Sequence, residues 1–302
     1  MRKFLIVVGL LLIIGSIVGI VKVIQLATSG YVPHPVPVPP PPQPQPDQPA
    51  FTVSPPVKLP RVAVNGMTFI IVPTGSFMMG SPDGEPGKKD AVVPETQALR
   101  TIAKRFGLSE CEVTMENYWG VIDPAHTVSE DEKKLPISGI SWGKAVEFCK
   151  KLSQENPGMT FRLPTEIEWE YACRAGDHQE MFAVWKGGSA GLNDALSALS
   201  RHDRHKLKIG AQASFVYTDN AGAPKPVASF PANAWGFFDM QGNVAEWCDY
   251  SPELQPPKLS NRPIRGGAYS SSELGCRSAH RAWEGQDRET DAIGFRVLLE
   301  NP

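Results

Sequence analysis

Apolar positions are distributed in two different ways along this chain. From Phe4 to Ile20 they run without a charge, and Val21, Val23 and Ile24 extend the run around Lys22. At ~1.5 Å per helical residue the run reaches about 30 Å, the depth of a bilayer's hydrocarbon core. Residues 4–26 are therefore predicted to form a single transmembrane signal-anchor helix. Residues 1–3 form its cytoplasmic end, because Arg2 and Lys3 obey the positive-inside bias. Ala27-Thr28-Ser29 imitates a cleavage site, so a removed secretory signal is the competing reading. Residues 27–60 carry no apolar period. Thirteen of the 29 prolines lie between 33 and 60. Proline's fixed φ and missing N–H direct this stretch into a semi-rigid polyproline II stalk.

From residue 61 to 302 the apolar positions are broken into short runs, as in a globular domain. Val62 to Met79 shows β-branched and aromatic runs interrupted by Asn65-Gly66 and Pro73-Thr74-Gly75, a hairpin pattern. Three short helices are predicted from their starts. Thr114 precedes MENYWGVI, with Trp119 on the apolar side. Ser141 precedes WGKAVEFCKKL, where Ala145, Val146, Cys149 and Leu152 recur at helical spacing. Thr165 precedes EIEWEYAC and stands three residues before Glu168, the spacing of a capping box. Between and after these helices come Gly-, Pro- and Asn-rich stretches. The fold class is α+β with much irregular structure.

Composition narrows this picture. Thirty Lys and Arg against 32 Asp and Glu leave a formal charge of −2. That balance supplies no basic footprint for nucleic acid. With 29 prolines and 27 glycines, coiled-coil and multi-spanning architectures are excluded. Five cysteines are too few for a disulfide scaffold but enough for one or two bridges.

Several segments occur in a telling order: Gly75 to Ser81; Glu112-Val113-Thr114; Pro136 to Trp142; Phe161-Arg162-Leu163-Pro164-Thr165-Glu166; Asn233 to Trp247; Arg265-Gly266-Gly267-Ala268-Tyr269; Cys276-Arg277-Ser278-Ala279-His280-Arg281; and Gly294-Phe295-Arg296. In this order the chain resembles the formylglycine-generating enzyme family, also called the sulfatase-modifying factor domain, over roughly residues 63–300. The resemblance implies a C-type-lectin-like fold, poor in regular structure and calcium-bound. It places one calcium on Asp239, the carbonyls of Gly242 and Val244, and Glu246. Hard oxygens of this kind suit that ion. A second family site maps loosely onto Asn193, Asp219 and Ala221, where an insertion around 195–215 disrupts the pattern. The resemblance also implies a disulfide between Cys173 and Cys276; the pairing of Cys111, Cys149 and Cys248 is left open.

The family's signature chemistry oxidises a substrate cysteine with O₂ and copper held by two cysteines. Here the first cysteine position falls on Ser271, and the second is at best Cys276. Two thiolates suit Cu(I), and a serine hydroxyl does not replace one. The departure argues against copper and against formylglycine synthesis. Two other motifs carry little: Gly139 to Gly143 matches G-x-S-x-G, but Ser141 is explained as a helix cap. His202 and His205 lie in a charged run without further zinc ligands.

Two classes of function follow. In the first, the domain is a non-catalytic binding or accessory module. Its recognition surface lies in residues 270–293: Ser270, Ser271, Glu273, His280, Arg281, Trp283, Glu284 and Arg288 are its candidate contacts. Relatives lacking the cysteine pair include displayed ligand-binding proteins and periplasmic accessory factors of membrane Ser/Thr kinase signalling in type VI secretion. A protein or small ligand outside the inner membrane is the implied partner. In the second class the domain is an oxidase or modifying enzyme acting on an exported protein or periplasmic metabolite, with Arg281 and Arg296 near its pocket. Both classes place the domain in the periplasm, on a single-pass anchor.

Overall fold

The computed structural model describes residues 58–302, apart from 84, 86, 177–182, 186–214, 218–221, 252 and 255–259. The apolar run at 4–26 and nearly all of the proline-rich stretch lie outside the described residues. So do Asn193, Asp219, Ala221, His202 and His205. Among the described residues no helix is long and apolar enough to cross a membrane.

The first hairpin forms where the apolar pattern predicts it. β1 (Arg61–Val64) and β2 (Met67–Val72) pair antiparallel, with Val64 opposite Met67. Asn65 and Gly66 between them both have positive φ, 45° and 76°. That is the primed turn whose twist matches paired strands. The second break behaves differently. After Pro73-Thr74, β3 (Gly75–Met79) leaves β2 and pairs instead with β4 (Ala98–Ile102). The hairpin pattern predicted a turn at Pro73-Thr74-Gly75; here β3 pairs with β4 instead, and residues 80–97 loop out between them.

β2 continues into an antiparallel five-stranded sheet with β5 (Phe106–Ser109), β13 (Leu298–Glu300) and β6 (Thr160–Arg162), in the order β1-β2-β5-β13-β6. A second sheet, ordered β11-β10-β9-β12, is built from β9 (Ala245–Trp247), β10 (Asn261–Arg265), β11 (Ala282–Gly285) and β12 (Ile293–Phe295). Only its β9–β12 pair is parallel. A short parallel pair, β7 (Ala183–Trp185) with β8 (Phe215–Tyr217), stands apart from both.

The three helices start at the expected caps. α1 (Met115–Ile122) is capped by Thr114, α2 (Trp142–Glu155) by Ser141, and α3 (Glu166–Cys173) by Thr165. At α3 both halves of the capping box are made: Glu168 N donates to Thr165 Oγ1, and Thr165 N donates to Glu168 Oε2 (3.3 and 2.8 Å). Ser141 Oγ accepts from Lys144 N, so the G-x-S-x-G serine is a helix cap. On α2 the buried stripe is Ala145, Phe148, Cys149 and Leu152, while Val146 faces solvent. The spacing i, i+3, i+4, i+7 takes Phe148 inward and leaves Val146 a hundred degrees off the core face.

Gly294 in β12 shows how tightly the second sheet sits on its neighbours. A Cβ there would lie 2.3 Å from the Ile137 carbonyl oxygen, a backbone atom with nowhere to move. Gly294→Ala is therefore expected to destabilise the domain by about 2 kcal/mol or more, in the range of overpacked cores. Denaturant titration of the full chain measures it; an unchanged midpoint would show that the strand shifts freely.

Candidate functional site

The C-terminal third supplies four arginines, at 265, 277, 281 and 296, and each ends on a buried carboxylate. Arg296 holds Glu246 with two bonds, Nε to Oε2 and Nη2 to Oε1, both 2.6 Å. Trp169 Nε1 also donates to Glu246 Oε2, at 2.7 Å. Arg281 forks onto Glu166 at 2.9 and 3.0 Å. Arg277 forks onto Glu95 at 2.7 and 2.8 Å, and also donates to Ser81 Oγ. Arg265 Nη2 donates to Glu170 Oε2, whose other oxygen takes Arg174 Nε at 2.8 Å. Helix α3 presents Glu166, Trp169 and Glu170, all fully buried, to this network. Burial pushes Glu95 up, but hydrogen bonds from His280, Arg277 and Ser81 outweigh it and hold the carboxyl at about 2. These pairs staple loops to the core where regular structure is scarce.

Residues 270–293 are placed unevenly by this network. Ser270 and Arg288 are exposed; Ser271, His280, Trp283 and Glu284 are half-buried. Arg281, expected on the recognition surface, is instead spent on Glu166 and lies below it. Glu284 Oε1 accepts from Gly285 N, within its own turn. Trp283 Nε1 is buried without a hydrogen-bond partner, and the Arg281 guanidinium lies 5.7 Å from its ring centroid. Glu273 opens the 3₁₀ turn Glu273–Cys276.

Ser271 Oγ accepts from Ala268 N at 3.0 Å, which closes the turn after the Gly-Gly pair. Cys276 is fully buried. Its Sγ would sit 2.6 Å from a Cβ at Gly267, whose φ is +70°. A hydroxyl engaged in a turn and a buried thiol do not make the two-sulfur donor set that Cu(I) requires. The residues present do not fit that ion. Cys173 and Cys276, which the resemblance pairs, are both buried. Cys173 Sγ also lies 4.0 Å from the Met240 carbonyl oxygen. Burial pushes the Cys111, Cys149 and Cys248 thiols up, which keeps them protonated near neutral pH.

Asp239 to Glu246 forms a second cluster. Asp239 and Asn243 both adopt the left-handed conformation, at φ 55° and 58°. Ala228 N donates to Asp239 Oδ2 at 2.6 Å, while Asp239 Oδ1 is buried without a hydrogen-bond partner. Glu112, which the sequence pattern did not single out, completes the cluster. It accepts from Val244 N (3.4 Å) and Asn243 Nδ2 (3.3 Å) across 132 and 131 positions of chain. Its signal was the Glu112-Val113-Thr114 segment. Arg296 bonds Glu246 and acts through its charge on Asp239 and Glu112, so three carboxylates face one guanidinium. Ionised, they would carry an excess of two negative charges.

The protonation states reflect that excess. Burial pushes Asp239 up to about 6, against the bond from Ala228 and the charge of Arg296. Burial, with the charges of Asp239 and Glu246, pushes Glu112 well above its ordinary value. No three His, Cys, Asp or Glu side chains among the described residues form a metal-holding set by themselves. A buried pair of acids, Asp239 beside Glu112, and a twofold negative excess when all three carboxylates ionise nevertheless fit a hard divalent cation that takes further oxygens from backbone carbonyls.

Residues 57–301 match the family described as the sulfatase-modifying factor enzyme 1-like domain. The chain belongs to this family. The fold of this sulfatase-modifying-factor domain is also that of PvdO from Pseudomonas aeruginosa, with a TM-score of 0.61 at 24% identity, covering 82% of this chain and all of that one. Formylglycine-generating enzyme from Bos taurus is 30% identical over 55% of this chain and 44% of its own length. Serine/threonine-protein kinase Pkn1 from Chlamydia trachomatis is 28% identical over 60% of this chain and 26% of its own. The chain thus spans less than half the length of these two relatives.

Proposed function

We propose that this sulfatase-modifying-factor domain is a non-catalytic recognition module, held outside the inner membrane by its N-terminal anchor and proline-rich stalk. One observation carries the reading: Ser271 stands where the catalytic members place a sulfur, and its hydroxyl is used to close a turn. The motif residues around it are occupied in buried ion pairs, which preserve the frame without a redox centre. The exposed and half-buried side chains Ser270, His280, Trp283, Glu284 and Arg288 form the contact face. An aromatic among hydrogen-bonding groups is suited to protein recognition. The likeness to a serine/threonine-protein kinase supports a partner in kinase signalling.

Calcium is part of the same proposal. Asp239, with the carbonyls of Gly242 and Val244, would hold it, and Glu112 and Glu246 would supply the surrounding negative charge. The ion would fix the Gly-Asn-Val turn against β9 and perform no chemistry.

The catalytic alternative is tested directly. The full-length chain is incubated with Cu(I), O₂ and a cysteine-bearing peptide, and aldehyde is read by mass spectrometry. No aldehyde and no tight one-to-one copper binding are expected. Conversion of the cysteine to formylglycine would overturn the recognition reading.

A further inference from the structure

A cleft of about 310 Å³ opens on the five-stranded sheet, on the side of the N-terminal end of α3. Its floor is apolar: Ile102, Phe106 and Leu298 are all buried. Phe106 and Glu300 are paired across β5 and β13, so they stand on one face of the sheet. Arg162 closes the polar side, bonded through Nε to Glu300 (2.7 Å) and through Nη2 to Glu168 (2.7 Å). These features make a site with a greasy floor and fixed polar walls, at the small end of ligand pockets.

Three observations say what it would take. The turn after β4 brings Lys104 and Arg105 to the rim, exposed, and no ion pair engages either among the described residues. The wall also carries negative charge: Glu253, likewise without an ion pair among the described residues, and Glu300, of which only Oε1 bonds Arg162. Ser251, 2% exposed, lines the cleft with a buried hydroxyl that has no hydrogen-bond partner. A buried hydroxyl without a partner is costly unless a ligand supplies one. A second hollow shares Ala103, Lys104, Arg105 and Asn301, so the two cations overlook both.

We propose that this cleft binds a small zwitterion, an amino acid or dipeptide. Its carboxylate lies against Lys104 and Arg105, its ammonium against Glu253 and Glu300, and its side chain on the apolar floor. The volume admits one or two residues. The Ser251 hydroxyl donates to or accepts from the ligand's polar backbone. This site is separate from the Ser271 face and does not depend on the reading given for it.

Calorimetric titration of the full-length chain with L-alanyl-L-alanine tests it, beside the N-acetylated and C-amidated derivatives. Saturable one-site heat is expected for the free dipeptide. Blocking either terminus should weaken binding about tenfold, the loss of one charged contact. The K104A/R105A variant, altered only at exposed turn positions, should lose at least about tenfold for the free dipeptide and little for the amide. Absence of saturable heat at millimolar dipeptide, or equal binding by the variant, would overturn the proposal. Equal binding of the acetylated form would overturn the role of Glu253 and Glu300.

Discussion

Arg296→Met should cost the domain about 3–5 kcal/mol, the penalty for stranding a buried carboxylate. Arg296 and Glu246 are both fully buried and joined by two bonds. The same guanidinium donates to the carbonyls of Ser109 and Phe238 at 3.0 Å. One side chain therefore links the strand that ends at Phe295 to β5, to β9 and to the acid cluster. Methionine matches the bulk but leaves Glu246 with Trp169 alone. For a domain of this size the loss corresponds to about 10 °C in Tm. Urea unfolding of the full chain, followed by tryptophan fluorescence, measures it. The E246L/R296M double variant should recover at least half of the loss, because removing both charges removes the stranded one. A loss under about 1 kcal/mol for the single variant would show that the pair is not a staple.

The acid cluster should make stability fall with rising pH in the absence of divalent cations, and calcium should reverse this. Asp239 holds its proton up to about 6 in the folded domain, against 3.8 unfolded. A carboxyl raised by folding stabilises the protonated fold. That contribution is complete below 3.8 and is lost as pH rises through 6. The interval is worth about 3 kcal/mol. Glu112 is shifted in the same direction. On the proposed calcium site the ion would bind the ionised forms, so it should add stability at pH 7.5 and little at pH 4. At a hundredfold excess over its Kd the gain is about 2.7 kcal/mol. Melting curves in EGTA and in calcium across this range read both effects, and Asp239→Asn should flatten both. Identical curves with and without calcium at pH 7.5 would remove the ion from the proposal. A flat profile in EGTA would show that the cluster is not strained by its own charge.

The local elements were legible because their causes are local. Asn65-Gly66 makes a turn with its own backbone, and Thr165 caps α3 with a partner three residues away. The exchange of Phe148 for Val146 on α2 shows the limit of that reading: two apolar neighbours fit the period, and only the facing core chose between them. The strand after Pro73 shows it again. β-propensity marked Gly75 to Met79 as a strand, but its partner β4 lies beyond a loop that no propensity foresees.

By itself, the sequence determined the α+β class, the cap of each helix and the family to which the domain belongs. Each rests on residue identity or on spacing within a few positions. Tertiary structure alone decided how the charges are spent. Arg281 meets Glu166 across 115 positions and Arg277 meets Glu95 across 182. Glu112 joins Asn243 across 131. Coulomb attraction does not register chain separation, so nothing in the spacing of these residues names their partners. Folding brings Arg281 under the surface on which the sequence placed it, and leaves the Ser251 cleft where no motif pointed.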